Sequence, residues 1–400
     1  MSLEQLFISL GYTKEEGILI RNDYSLARTK EETLITNIKN SYNWFLEFGY
    51  TKEDIIKITV SLPTLFAYSK ENMNKKVSNL MTLGYTKEEI IKMTRMIPAI
   101  YGYTLETIEN KIENIEKIGY TKKEIINMAK KYPNIYCLSK KSINKKIEDI
   151  ISLGYTKEEA LKITKKIPSI YSLSINNLIN KIKDLMSLGY TKEEVIKITK
   201  KQPTVLILSK ETIDKRIDDY LSLGYTFEQT LKMSKNKPDN FCLKKETVEE
   251  KIKELLSFGF KKEDIIQITV EFPAMLGYSK DNINNKIKEL ILLGYTKEEV
   301  LIIIKNLPPV LGYSMENLKD KIKFFDSIEM HDLAVVDTKQ LMQSTALTYA
   351  RYAFFKEKDI NINMGNHKKL FTSEKRFEKS YGYNNKQLLE KYNYEEYLKE

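Results

Sequence analysis

The stretch GYTKEEIIKMTRMIP, residues 84–98, decides the fold. Thr86 is a natural N-cap, and Glu89 three residues on closes a capping box in which each side chain takes a backbone N–H left free by the first helical turn. Ile90, Ile91, Met93, Thr94 and Ile97 follow at helical spacing, so the segment predicts an amphipathic helix of about ten residues. Pro98 ends it, because proline lacks an N–H and disfavours helical dihedrals in the residue before it.

The same grammar recurs on both sides. Glycines at 49, 84, 119, 154, 189, 224, 259 and 294 open it at a constant step of 35, with an outlying copy at Gly11. Fourteen residues after each of the eight comes a proline, from Pro63 to Pro308; only Pro309 lies outside that column. Six residues further on, Ser69, Thr104, Ser139, Ser174, Ser209, Ser279 and Ser314 cap a second helix, with Lys244 the exception. That helix carries an apolar stripe such as Ile143, Ile147, Ile150 and Ile151, and it closes at the next glycine, which suits the left-handed position after a helix end.

A fixed step in both punctuators means one supersecondary unit stacked many times. Neither helix of a unit buries its stripe alone, so the expected fold is an all-α solenoid, of either hand, built from two-helix units with a tight proline-led turn. Residues 1–48, with no proline fourteen after Gly11 and with Trp44 in the second helix, read as an irregular N-terminal capping unit. Residues 49–328 read as eight regular repeats. Residues 329–400 read as a C-terminal helical cap or tail in which the period is lost, with one helix over roughly 338–356 and a degenerate helix–Gly-Tyr–helix echo over 373–392.

Composition excludes several functions. No run of 18 apolar residues is present to span a bilayer. The start MSLEQLFISLGYTKEEG lacks a basic segment before an apolar one, and Glu4, Glu15 and Glu16 argue against a transit peptide. The Ile/Lys/Asn-rich composition matches an AT-rich microbial genome, and the chain is expected in the cytoplasm. Cys137 and Cys242 occupy the same column three repeats apart. Layers roughly 8–10 Å thick put them beyond the ~7 Å Cα limit for a disulfide, so they are expected reduced. Neither they nor His331 and His367 have partners at metal-ligand spacing. No Gly-rich phosphate loop or nucleophile–base arrangement is present, so neither catalysis nor a cofactor, nor a small-molecule substrate, is expected.

Charge is the positive signal. The chain carries a net charge of +10, and residues 49–328 hold 48 basic against 37 acidic residues, an excess of 11. A repeated positive charge on a stacked array makes a stripe, which suits a polyanion better than a small ligand. Twenty-seven after each glycine stand Lys76, Lys111, Lys146, Lys181, Arg216, Lys251, Lys286 and Lys321, basic in all eight repeats. They fall at the flank of the apolar face of helix two, where either phosphate contact or a stem packed along the inter-repeat groove accounts for them. Eleven after the glycines stand Arg95, Lys130, Lys165, Lys200, Lys235 and Lys305, with Val60 and Val270 breaking the column. A cation there also suits the C-terminal end of a helix dipole. In the tail, Lys368, Lys369, Lys375 and Arg376 add basic residues. The aromatics that follow the glycines, such as Tyr50, Tyr85, Tyr120 and Tyr155, and the prolines, such as Tyr101, Tyr136 and Tyr171, are placed beside helix ends and are expected in the core.

The pattern L-G-Y-T-K-E-E-[IV]-[IL]-K-x-x-x-K-x-P, followed by S-x-x-x-[IL]-x-x-K-[IV]-x-x-[LI]-x-x-L-G, resembles the repeat of the mitochondrial transcription termination factor (mTERF) family over residues 49–328. The resemblance implies a helical-repeat superhelix whose positive groove binds duplex DNA, or RNA in some members, chiefly through the backbone. It points to the eight basic residues of helix two as groove residues. The expected function is thus a monomeric, non-enzymatic nucleic-acid scaffold that regulates transcription. A protein-interaction solenoid is the alternative, since helix-pair arrays present surfaces to proteins as readily.

Overall fold

A computed structural model describes residues 1–394. Every regular element among them is helical, so the all-α solenoid class read from the repeats holds. The last six residues of the expected 329–400 tail, and the side chain of Phe241, lie outside the description. The helices group into two compact units, Met1–Lys210 and Glu211–Glu400, whose division falls within the array.

Each repeat has three elements rather than two. The first regular one is Lys52–Ser61, then a five-residue 3-10 helix Pro63–Ala67, then Lys70–Thr82. The turn expected after the proline is this 3-10 helix. Proline takes its first position because its ring already has a helical φ and needs no donor there. The capping box is present as read: Thr86 N donates to Glu89 Oε2 at 3.0 Å and Glu89 N to Thr86 Oγ1 at 3.3 Å. Helix two ends one to three residues before its glycine, and that glycine takes the left-handed conformation, for example φ 112° at Gly154. At such a φ any other residue is strained.

Burial follows the predicted stripes. Ile90 and Met93 of one helix and Ile143, Ile147 and Ile150 of another are buried, as are the tyrosines after the glycines and prolines, whereas Ile151, expected in the same stripe, turns outward and is 38% exposed. A buried tyrosine carries a hydroxyl that must be satisfied, and the next repeat does this. In the first unit Tyr50 Oη meets Thr94 Oγ1 and Tyr101 Oη, both at 2.6 Å. Tyr120 Oη meets Thr164 Oγ1 at 2.6 Å and Tyr171 Oη at 2.8 Å. Tyr12 meets Thr59 at 2.7 Å, Tyr85 meets Tyr136 at 2.5 Å and Tyr155 meets Thr199 at 2.5 Å. In the second unit Tyr225 meets Thr269 at 2.8 Å. Burial pushes Tyr50 and Tyr155 up to about 12, so these hydroxyls stay protonated through the neutral range.

The N-terminal end keeps its expected irregular unit, and the C-terminal end departs from expectation. The first unit opens with Leu3–Leu10, Gly11 at φ 97°, and helices Lys14–Arg21 and Glu31–Phe48, and it joins the ladder through Tyr12. At the other end the 35-residue glycine step stops, but the helix–3-10–helix arrangement continues past 328. Glu329, 35 after Gly294, holds the left-handed position at φ 54°; a short helix Leu333–Val336, a 3-10 helix Thr338–Met342 and a helix Thr345–Glu357 follow, closed by Asp359 at φ 53°. The single helix expected over 338–356 is therefore divided. Ser344 is extended and accepts from Leu347 N, which starts a new helix where the apolar spacing alone suggested continuity. This ninth unit has a helix one of four residues where the regular repeats have ten, and no glycine or proline marks it. The 373–392 echo is present as Glu374–Tyr381, Gly382 at φ 78°, and Asn385–Lys391.

Removing a hydroxyl from the ladder tests its weight. Tyr120→Phe, which strips a partner from both Thr164 and Tyr171, should destabilise by about 1–3 kcal/mol, read as a lower urea midpoint. Tyr24→Phe, on a residue 80% exposed, should leave the midpoint where it is.

Candidate nucleic-acid interface

The cations at the last turn of helix one pair across repeats. Lys130, Lys165, Lys200 and Lys305 each reach a carboxylate 41 residues earlier, at the third position of the preceding helix one; at Glu89, Glu124 and Glu159 this is the acid that closes the capping box, whereas Asp264 follows Lys261 and closes none. Lys130 meets Glu89 at 2.8 Å, Lys165 meets Glu124 at 2.7 Å, Lys200 meets Glu159 at 2.8 Å and Lys305 meets Asp264 at 2.5 Å. Arg95 pairs with Asp54 in the same way, and Lys235 is also engaged. One carboxylate thus caps its own helix and receives the next repeat's cation. The Lys165 ammonium, with the Thr121 N–H, holds the Glu124 carboxyl below its ordinary value, and Lys200 does so first for Glu159. The pairs stay at the surface, with Lys130 28% and Arg95 43% exposed along the side chain.

The helix-two column sits deeper and divides by partner. Lys146, Lys286 and Lys321 are buried; Lys76, Lys111, Lys181, Arg216 and Lys251 are half-buried. Lys286 Nζ donates to the Tyr313 carbonyl at 2.8 Å and Lys251 Nζ to the Tyr278 carbonyl at 2.5 Å; Lys146 donates to the Leu173 carbonyl likewise. Each acceptor lies 27 residues on, at the end of the next repeat's 3-10 helix, where the backbone has a free acceptor. An acid three residues along completes the arrangement: Lys146–Asp149 at 3.9 Å, Arg216–Asp219 at 3.1 Å, Lys251–Glu254 at 2.5 Å and Lys286–Glu289 at 2.9 Å. Lys76 and Lys111 instead lie 5.2 Å from the ring centroids of Tyr68 and Tyr103. Lys181 makes neither kind of bond. The packed-stem account of this column is therefore a structural fact for Lys146, Lys251 and Lys286, whose amines brace one repeat against the next.

One column that carries charge was present in the motif but not singled out. Twelve after the glycine, beside each paired lysine, stand Lys131, Lys166 and Lys201 in the first unit. All three are exposed. Lys166 donates to the neutral Gln202 Oε1 at 2.6 Å, and no carboxylate pairs with any of them among the described residues. The signal was the doubled lysine in KKYP, KKIP and KKQP, of which only the first member pairs back.

Elsewhere the chemistry is structural. His331 Nδ1 lies 2.5 Å from Asp326, and His367 bridges the Met364 carbonyl and Asp337. Lys368, Lys369, Lys375 and Arg376 are exposed on the tail helices. Cys137 and Cys242 are both exposed thiols. Among the described residues no group of His, Cys, Asp or Glu is placed to hold a metal, and no helix is long and apolar enough to cross a membrane.

Helix–3-10–helix repeats stacked through a tyrosine ladder and braced by cations define a helical-repeat protein. The mTERF family model matches residues 5–115, 106–221 and 209–378, and the chain belongs to the mTERF family. Membership makes a nucleic acid, in general, its partner, and the family's proteins are generally binders rather than enzymes. A comparison with curated proteins finds no match.

The inter-repeat pair has a definite pH signature. Because the folded Glu124 carboxyl titrates below its ordinary value, its contribution is present above that ordinary value and is lost as pH falls through the folded one. Glu124→Gln keeps the capping box, since glutamine closes it equally, but removes the charge. Its melting temperature should lie below that of the parent at pH 7, and the gap should close as pH falls through the lowered value of the folded carboxyl. Lys286→Met, which strands the Tyr313 carbonyl, should destabilise by about 1–3 kcal/mol in urea unfolding.

Proposed function

We propose that the chain binds duplex DNA, with RNA as the second choice, through the phosphate backbone along the exposed last turns of helix one, and that as a monomer it regulates transcription. The observation that carries this is the uncompensated run Lys131, Lys166 and Lys201, one lysine in each of three consecutive repeats. Layers roughly 8–10 Å thick set one cation for about every three steps of a strand that advances 3.4 Å per nucleotide. A small ligand does not need that period; a polyanion does.

The neighbouring Arg95, Lys130, Lys165, Lys200, Lys235 and Lys305 belong to the same proposal. A surface ion pair is worth about 0–1 kcal/mol, so an arriving phosphate replaces the carboxylate at small cost. Lys76, Lys111 and Lys181, half-buried without a carboxylate, keep donors for a phosphate. Lys146, Arg216, Lys251 and Lys286 are compensated already and contribute to stacking first. Backbone contacts of this kind fix position without reading sequence.

A second reading has its own observation. Leu46, Met81, Ile151 and Met186 of the first unit stand in one column at the end of helix two and are 38–43% exposed. A recurring exposed apolar residue fits a protein partner.

A salt titration separates the two. Log affinity for duplex DNA should fall linearly with log salt, at about 0.9 per phosphate neutralised. The triple variant Lys131→Gln, Lys166→Gln, Lys201→Gln should flatten the slope by about 2–3, weaken all sequences alike, and melt as the parent does. Unchanged affinity and slope would end the nucleic-acid assignment of this face and move the apolar column ahead.

A further inference from the structure

The helix-two column has one member whose partners are gone. Lys321 is 5% exposed, as deeply placed as Lys286, yet among the described residues it makes no hydrogen bond or ion pair. Two local changes cause this. The acid found three residues along at Asp149, Asp219, Glu254 and Glu289 is Phe324 here, and that ring packs against Tyr349 and Tyr352 at about 6 Å. The next unit is the shortened ninth one, whose four-residue helix one alters where the following 3-10 helix ends. No carbonyl takes the place of the one Tyr313 offers to Lys286.

What faces Lys321 instead is an open cavity of about 640 Å³ in the second unit. Ser344, Thr345 and Ala346, the start of the 13-residue helix Thr345–Glu357, line it. So do Ser314 and Asn317, the start of Met315–Ser327. Ser344 Oγ is occupied by Leu347 N, and the N–H groups of Thr345 and Ala346 precede the first that can bond within the helix. Asp320 is the one carboxylate on the wall among the described residues.

We propose that this cavity is a phosphate-binding site, in which Lys321 and the first-turn N–H groups of Thr345 and Ala346 hold one phosphate group. A helix N-terminus presents free donors and a partial positive charge to an anion. A buried ammonium without a counter-charge is costly, and a phosphate supplies what Phe324 removed. Burial already lowers Lys321 to about 8, the direction expected of an ammonium that waits for its counter-ion. The site differs from the exposed lysines of the first unit, because it is single, not periodic, and built on a buried lysine. It does not depend on the proposed function, since free phosphate and a backbone or terminal phosphate of a nucleic acid have the same chemistry.

The experiment is calorimetric titration of the full chain with inorganic phosphate, paired with thermal melting. Phosphate should bind the parent and raise its melting temperature. Lys321→Met should lose at least tenfold in phosphate affinity and lose the phosphate-dependent rise. Its melting temperature without phosphate should not drop, unlike that of Lys286→Met, because no brace is removed. Thr345→Pro is the second variant: proline is favoured at the first helical position and deletes one donor, so phosphate affinity should fall severalfold with the fold and Lys321 intact. Lys323→Met, on an exposed neighbour, should bind as the parent does. Displacement of phosphate by duplex DNA identifies the source as the nucleic-acid backbone, and its persistence identifies a free phosphate or phosphomonoester; both support the site. A parent that does not bind phosphate, or a Lys321→Met chain that binds it equally, overturns the proposal whatever the first-unit lysines do in the salt titration.

Discussion

A tyrosine hydroxyl buried behind each left-handed glycine must find a partner, and only the next repeat has one. This requirement fixes how far each layer turns and slides on its neighbour, because apolar burial alone is non-directional while a hydrogen bond is not. The regular repeats satisfy it with either of two residues, and Tyr295, which faces the shortened ninth unit, donates to the His331 carbonyl at 3.0 Å instead. Tyr120 uses Thr164 and Tyr171; Tyr85, facing Ala129 instead of threonine, uses Tyr136 alone; Tyr155, facing Leu206 instead of tyrosine, uses Thr199 alone. The exception is consistent with the rule. Phe260 has no hydroxyl, and the residues 44 and 51 positions after it are Ile304 and Leu311, which have none either; all three are buried in one cluster. Donor and acceptors are absent together, as the cost of an unpaired buried polar group demands.

The braces act on the same seam from outside the core. At Glu89, Glu124 and Glu159 one carboxylate oxygen stays on the capping box of its own helix while the other meets the next repeat's last-turn cation. The helix-two lysine crosses the seam in the other direction, to the end of the following 3-10 helix. Both bonds have sequence separations, 41 and 27, that hold across copies because the repeat length does. A change in repeat length breaks them at once, and the ninth unit, with its short helix one, is where the lysine loses its carbonyl.

Much of this architecture was legible. Capping boxes, proline stops and the glycine step specify helices and their bounds through local chemistry, and that chemistry is written in Thr86, Glu89, Pro98 and Gly119 themselves. The ninth unit was not legible because its punctuation is atypical: Glu329 and Asp359 occupy left-handed positions that glycine usually holds, and Thr338 opens a 3-10 helix without proline. The site was legible only as recurrence. A column of lysines announces that a position matters in every repeat, but the same column arises from a phosphate or from a carbonyl in the next layer. The partner of Lys286 is 27 residues away in a turn that no pattern of helix two mentions.

That ambiguity has a physical resolution in what each lysine leaves over. A cation matched by a carboxylate contributes to stacking and cancels its own field, so it adds little to the potential a polyanion feels at a distance. The excess of 11 positive charges over residues 49–328 must therefore come from lysines without such a match. In the first unit the doubled lysines before the prolines separate the two tasks between adjacent residues. Lys130, Lys165 and Lys200 pair across the seam, while Lys131, Lys166 and Lys201 keep their charge for solvent. Adjacent residues on a helix point about 100° apart, so the seam and the outer face are each served by one lysine of the pair, and stacking does not consume the charge available for binding.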